Sequence, residues 1–106
     1  MEVRQTVPAE KRAAYDEVIR TLFIPAVSVQ PGFVSFRLLE EYSGDVLEEI
    51  GTKSDGFNLV VQLTFETEQQ RRDWVATPEH AKLGEGLTGL IDDAQMGGYT
   101  IVREAK

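Results

Sequence analysis

The chain of 106 residues contains no cysteine and only one histidine, and these two shortages restrict its chemistry. Without cysteine it can form no disulfide, no thiolate nucleophile and no cysteine-ligated zinc or iron–sulfur site. A single histidine gives nothing that resembles a metal site. No glycine-rich loop of the phosphate-binding kind follows a predicted strand. We therefore expect a protein that uses no metal and no other cofactor.

Basic residues are also scarce, because 11 lysines and arginines stand against 18 aspartates and glutamates, for a formal charge of −7. Nucleic acids and anionic membranes both bind basic surfaces, so we expect neither as a partner. No apolar run is long enough to span a membrane, and the first residues, MEVRQTVPAEKR, do not resemble a signal peptide. We expect a soluble, cytoplasmic protein.

Hydrophobic residues make up 42% of the chain, which is enough for the core of one domain over residues 1–106. A chain this short buries a smaller share of its surface than a larger domain does. Association with a second copy would therefore stabilise it.

Four segments alternate apolar and polar residues in the way that is typical of β-strands: 2–7, 33–42, 57–65 and 95–104. The third, FNLVVQLTF, is the clearest, because every second residue in it is apolar. In the second segment we predict that Val34 and Phe36 share one face, and that Phe33 and Arg37 share the other.

One helix is predicted over residues 8–23, where apolar residues recur at helical spacing. Pro25 should end or kink this helix near residues 22–24. The segment 43–56 is ambiguous, because its VLEEIG portion could form a helical turn that ends at Gly51 or could continue a hairpin.

Two further helices follow the third strand. Thr67 and Gln70 match a capping box, which places a helix over about 68–76. Thr77 and Pro78 suit the cap and the first position of the next helix. Three glycines in that last helix imply a break or close packing: Gly84, Gly86 and Gly89.

The order of these segments, β-α-β-β-α-(α)-β, is typical of an α+β, ferredoxin-like fold. It predicts a four-stranded antiparallel sheet with helices on one face. The other face would mix polar and apolar residues, and such a face can pack on its twin across a two-fold axis. We therefore predict a homodimer.

A family resemblance depends on two stretches, PGFVSFRLL at 31–39 and FNLVVQLTFETEQQRRDWVATPEHAKL at 57–83, with a first strand–helix unit and a closing strand near 99–102. In this order and spacing they resemble the antibiotic biosynthesis monooxygenase family of small dimeric α/β-barrel proteins. The resemblance covers most of the chain, and 43–56 is its least matched part. It implies the fold more than the chemistry, because such folds host cofactor-free oxygenases, haem degraders, isomerases and proteins with no known activity.

The only tryptophan and the only histidine, Trp74 and His80, are the candidate catalytic residues. Trp74 could form an aromatic wall against a flat substrate, or it could be a packing residue of the core. His80 falls near the start of a helix capped by Thr77, where the partly positive helix end favours a neutral imidazole. That imidazole could remove a phenol proton, or it could only help to fix the helix start.

Further candidate site residues come partly from the resemblance and partly from residue type and position alone. Some quinone-forming members of the family place an Asn, a Trp and a Tyr near the substrate, and by spacing this chain offers Gln70, Trp74 and His80 at similar places. Arg37 could bind a substrate carboxylate or enolate, or form a salt bridge between subunits. Tyr99 could line the pocket.

The leading hypothesis is a cofactor-independent monooxygenase that acts on a small aromatic phenol or hydroquinone. A first alternative is a non-oxidative enzyme of the same fold, such as an isomerase, which would use the same base without consuming oxygen. A second is a dimer that binds a small ligand, or is associated with stress, without catalysis. Haem degradation is less expected, because Gly84 stands where the resemblance would require a haem-ligating histidine.

Overall fold

The structure is a computed structural model that describes residues 1–106. Its strands are Glu2–Thr6 (β1), Phe33–Glu40 (β2), Leu59–Phe65 (β3) and Asp93–Gly97 (β4). Its α-helices are Arg12–Val18 (α1), Ile24–Ser28 (α2), Gly44–Ile50 (α3), Glu68–Val75 (α4) and Pro78–Leu87 (α5). A 3₁₀ turn at Ala9–Lys11 precedes α1, and a π-helical turn at Ile19–Phe23 joins α1 to α2. None of these helices combines the length and apolar character needed to cross a membrane.

The four strands form one sheet in the order β2-β3-β1-β4, and all neighbouring strands are antiparallel. This order confirms the predicted ferredoxin-like arrangement. Leu59 and Leu63 of β3 are buried beneath the helices, whereas the intervening Val60 and Gln62 lie on the face that no helix covers. We call this second face the uncovered face. The sheet of one chain is open at both edges.

The core lies between the covered face of the sheet and the helices. The buried residues that the helical segments contribute are Tyr15, Ile19, Phe23, Val27, Trp74 and Leu83. Burying a large apolar side chain stabilises a fold by about 1.5–3 kcal/mol, so this layer dominates the stability of the chain.

The π-helical turn explains how the first helix passes Pro25. The Ile24 N–H donates to the Ile19 carbonyl, which is the wide hydrogen bond of a π turn. Pro25 then lies in the first turn of α2, where its missing N–H costs little. Pro25 was predicted to end or kink the helix near residues 22–24. Helical structure does not end there but continues to Ser28, and the interruption takes the form of the π turn at Ile19–Phe23.

A β-bulge at the start of β2 reverses the predicted sides of two residues. Phe33 pairs with Phe65, but Ser35 pairs with Thr64, so an extra residue is inserted on β2. Phe33 consequently packs toward the core with Phe65, their ring centroids 6.3 Å apart. Val34, which we placed on the core face, is 53% exposed. The ring of Phe33, which is larger than the side chain of Val34, is the one that is buried.

Residues 44–50 form a helix, which resolves the ambiguity of the 43–56 segment. Gly51 ends α3 with a φ of 93°, a left-handed conformation that glycine adopts without strain. No other helix or strand packs extensively against α3. Its apolar side chains are therefore largely without partners in the chain.

The last strand begins earlier and ends earlier than predicted. The Asp92 N–H donates to the Thr6 carbonyl at 2.9 Å, and pairing with β1 then runs from Asp93 to Gly97. The pairing of β4 with β1 ends there, at Glu2 opposite Gly97. The predicted strand over 95–104 is thus only partly formed, and residues 98–106, which we call the tail, have no regular structure.

Gly84 offers a test of the helical packing. A methyl group at Gly84 of α5 would meet no atom within 4 Å, so Gly84→Ala should raise the free energy of unfolding by about 0.5–1 kcal/mol. Gly86→Ala is the matched control, because its methyl group would lie 3.2 Å from Leu22 Cδ1. We expect no such gain there. Urea unfolding followed by circular dichroism measures both, and a loss of stability in Gly84→Ala would contradict the placement of α5.

Candidate functional site

Thr77 joins the two helices that carry the candidate catalytic residues. Its hydroxyl donates to the Trp74 carbonyl at 2.8 Å and accepts from the His80 N–H at 3.2 Å. Thr77 therefore caps α5, as predicted, and also satisfies a carbonyl at the end of α4. One threonine fixes the relative position of Trp74 and His80.

Trp74 and His80 are brought into contact by this junction. Their ring centroids are 5.3 Å apart with an interplanar angle of 86°, an edge-to-face arrangement. On its other side the indole stacks near Phe23, at 6.2 Å and 25°. Trp74 is only 2% exposed, and His80 is half-buried. The imidazole is thus the part of the pair that an external molecule can reach.

Burial lowers the pKa of His80 below its ordinary value of 6.5. Desolvation disfavours the charged imidazolium, and no carboxylate forms an ion pair with His80 to offset it. The ring is therefore neutral at pH 7 and has one nitrogen free to accept a proton. This is the protonation state that a general base requires.

Gln70 is engaged in helix capping. Its Oε1 accepts from the Thr67 N–H at 3.1 Å, while the Gln70 N–H donates to the Thr67 hydroxyl at 3.2 Å. This is the capping box that the sequence predicted. The amide also lies against Gly32, where an added Cβ would sit 1.9 Å from Gln70 Oε1. Its carbonyl oxygen therefore has a structural partner already.

Arg37 lies on the uncovered face, away from Trp74 and His80. It donates to Gln62 Oε1 at 2.6 Å, and Gln62 Nε2 donates to Glu2 Oε1 at 2.8 Å. These three residues form one row across β2, β3 and β1. The sheet separates Arg37 from the helical layer, so one chain cannot combine its guanidinium with the His80 imidazole at a single substrate.

Tyr99 is 70% exposed and lines a cavity of about 520 Å³ at the end of β4. Glu68 and Arg71 of α4 form the opposite wall. Their ion pair, with Arg71 Nη2 2.7 Å from Glu68 Oε1, lowers the pKa of Glu68 to about 2. Trp74 and His80 do not line this cavity. The predicted site residues therefore occupy separate places in the fold.

The sequence analysis missed a buried polar pair, Gln5 and Tyr15. The Tyr15 hydroxyl donates to Gln5 Oε1 at 2.5 Å, and both residues are buried in the core. Burial raises the pKa of Tyr15 to about 12, so the phenol stays protonated. A signal existed, because Gln5 occupies an apolar position between Val3 and Val7 of the first strand. A glutamine on a buried face needs a partner.

No protein-family model matches the sequence, and no curated protein is similar to it. Solved structures do share its fold. A candidate antibiotic biosynthesis monooxygenase from Bacteroides thetaiotaomicron superposes with a TM-score of 0.70 at 14% identity, over 99% of this chain and 90% of that one. SnoaB, a cofactor-independent oxygenase from Streptomyces nogalater, superposes with a TM-score of 0.55 at 17% identity, over 96% and 92% of the two chains.

A third structure is a dimeric ferredoxin-like protein of unknown function from Thermobifida fusca. It gives a TM-score of 0.62 at 11% identity, over 89% of this chain and 81% of that one. Identities this low establish the fold and leave the activity open. The chain thus has the ferredoxin-like fold of the antibiotic biosynthesis monooxygenases, as its resemblance to that family implied.

Proposed function

We propose that the protein is a cofactor-independent monooxygenase that oxidises a small aromatic phenol or hydroquinone. The observation that carries the proposal is the neutral, partly exposed His80 held edge-on to Trp74. The fold likeness to SnoaB, described as a cofactor-independent oxygenase, supports the same reading. His80 would be the catalytic base, and Trp74 the wall behind it.

The reaction would begin when the imidazole removes the phenol proton. The phenolate is electron-rich and transfers electrons to dioxygen, which adds to a ring carbon that bears hydrogen. Loss of water from that adduct leaves a quinone. One oxygen atom enters the ring as a carbonyl. The other leaves as water, with the hydrogen of that ring carbon and the phenol proton that the imidazole took up and returns. The four electrons that the phenol loses reduce dioxygen, so the balance requires no metal or flavin.

The protein would act as a homodimer that pairs through the uncovered face. The row Glu2, Gln62 and Arg37 places an acid and a base on the same face, so two copies related by a two-fold axis can pair Arg37 of one with Glu2 of the other. The dimeric protein from Thermobifida fusca supports this assembly. In this arrangement Arg37 would form a salt bridge between the two subunits.

A second candidate function is the binding of a small ligand without turnover. It is favoured by the near-complete burial of Trp74 and by the position of the 520 Å³ cavity, which Tyr99 and Arg71 line and His80 does not. An aromatic ligand would suit that cavity, with Tyr99 against its ring.

Oxygen uptake with a panel of phenols and hydroquinones tests the proposal, beside a haem titration followed by absorbance. We expect uptake and quinone formation, with no Soret shift at one equivalent of haem. Turnover of a substrate that continues without oxygen would indicate the non-oxidative enzyme. Saturable binding without any turnover would favour the second candidate. A Soret shift that Trp74→Phe leaves intact and His80→Ala abolishes would place haem at His80 and contradict the proposal.

A further inference from the structure

The side chain of Gln5 is buried, but only one end of its amide has a partner. Gln5 is 6% exposed, and its Oε1 accepts the hydrogen bond of the Tyr15 hydroxyl. Burial raises the pKa of Tyr15 to about 12, so the phenol stays protonated and remains the donor. The carbonyl end of the Gln5 amide is therefore held by Tyr15, and the two hydrogens of Nε2 are left for another acceptor.

That other acceptor does not belong to the chain, because Gln5 Nε2 donates to none of its groups. A buried amide nitrogen without an acceptor costs free energy, so a fold retains one only where a partner can reach it. No polar side-chain atom that is sealed in the core lacks a partner. Gln5 Nε2 therefore borders space that an outside molecule can enter, and the amide is a donor held in a fixed position.

Beside Gln5 the helical layer stops short of the last strand. Ala94 of β4 pairs directly with Gln5, so their side chains share the covered face of the sheet. Met96 lies on that face too, because it stands two residues from Ala94. Both residues are nevertheless exposed, Met96 by 73%, and no helix packs extensively against β4. We call the open area over Ala94 and Met96 the β4 surface.

The β4 surface continues into the cavity of about 520 Å³ at the end of β4. Met96 belongs to both, since it also lines that cavity together with Tyr99. Ala94 and Met96 are about 7 Å apart along the strand, a distance that a ligand of two fused rings can span. A flat molecule in the cavity can therefore extend over β4 as far as the residue that pairs with Gln5.

We propose that the β4 surface binds a flat aromatic molecule whose carbonyl oxygen accepts a hydrogen bond from Gln5 Nε2. Its rings would lie on Ala94 and against the thioether of Met96, with Tyr99 at the far end. An uncharged acceptor suits this place, because a carboxylate brought to a neutral, buried amide would lose its hydration without gaining an opposite charge. This inference rests on the second candidate function, the binding of a small ligand, and does not require oxidation at His80.

Two probes of similar size test the proposal: coumarin, which has two fused rings and a carbonyl, and naphthalene, which has the rings alone. Titrations are followed by the nitrogen–proton NMR signals of the protein, with the side-chain amide of Gln5 assigned through the backbone of β1. We expect coumarin to bind more tightly than naphthalene and to shift the Gln5 amide signals. Gln5→Met should weaken coumarin binding about 5- to 10-fold, the usual effect of one hydrogen bond, and leave naphthalene binding nearly unchanged.

Gln95→Met is the matched control, because Gln95 follows Ala94 but lies on the uncovered face, where it accepts from Arg4. It should alter neither affinity. If the wild type binds coumarin and naphthalene equally, or if the Gln5 amide signals do not move, the partner of Nε2 is water and the proposal is overturned. Since these two results come from the wild type, they decide the question even if Gln5→Met does not fold. Coumarin binding in a protein that consumes no oxygen would contradict the proposed oxygenation and leave this inference standing.

Discussion

Replacing Trp74 with alanine is expected to lower the free energy of unfolding by about 3–5 kcal/mol, the usual cost of removing a buried tryptophan. The indole is 2% exposed and lies between Phe23 and His80, so its removal leaves a cavity lined by rings that cannot close over it. A small domain has only about 5–15 kcal/mol of stability in total. The thermal midpoint should therefore fall by at least about 12 °C.

Val75→Ala is the matched control for that experiment. Val75 is the next residue of α4, but its side chain is exposed, so we expect a change within about 0.5 kcal/mol. Far-UV circular dichroism is the appropriate signal, because Trp74→Ala removes the only tryptophan of the chain. Equal losses in the two variants would show that the indole is not a core residue.

Replacing His80 with glutamine is expected to reduce oxygen uptake by about 10²- to 10⁴-fold, the usual contribution of a general base. Glutamine retains hydrogen-bonding capacity but cannot accept the phenol proton at neutral pH. The thermal midpoint should change little, because the N–H that caps α5 belongs to the backbone and remains in place. Uptake that survives in His80→Gln would remove the imidazole from the mechanism.

The pH dependence of the wild type follows from the lowered pKa of His80. His80 in the folded protein stays neutral to a pH below 6.5. The rate of oxygen uptake should therefore be unchanged when the pH is lowered to 6.5, and it should fall only around the lower pKa of the folded protein. The free energy of unfolding changes with pH in the same direction as the rate. The unfolded chain binds a proton at about pH 6.5 and the folded chain resists it, so stability is complete above that pH and declines as the pH falls toward the folded pKa.

The sequence predicts the order of the elements along the chain and the helix caps well, because these depend on local chemistry. Thr67 with Gln70 and Thr77 with Pro78 are local signals, and each cap forms as predicted. The bulge before Ser35 and the π turn before Pro25 could not be foreseen in this way. The bulge forms because tertiary packing favours burial of the Phe33 ring over regular strand pairing. The π turn forms because tertiary packing favours a continuous helix over regular α-helical hydrogen bonding.

In the candidate site, too, some features could be predicted from the local sequence and others could not. The contact of Trp74 with His80 follows from their spacing across the Thr77 cap, and it could be anticipated from the sequence. The separation of Arg37 from that pair depends on which face of β2 points to the helices, and the position of Tyr99 depends on where the pairing of β4 with β1 ends. The positions of these two residues depend on the assembled sheet and cannot be predicted from a single segment of the sequence.

The contact between the only indole and the only imidazole has one more consequence. A protonated imidazole accepts electrons from an excited indole more readily than a neutral one does, so it quenches the fluorescence. With no second tryptophan and no second histidine, the emission of Trp74 should report the protonation of His80 alone as the pH falls below 6.5. The protein therefore carries its own optical indicator for the group proposed to act as its base.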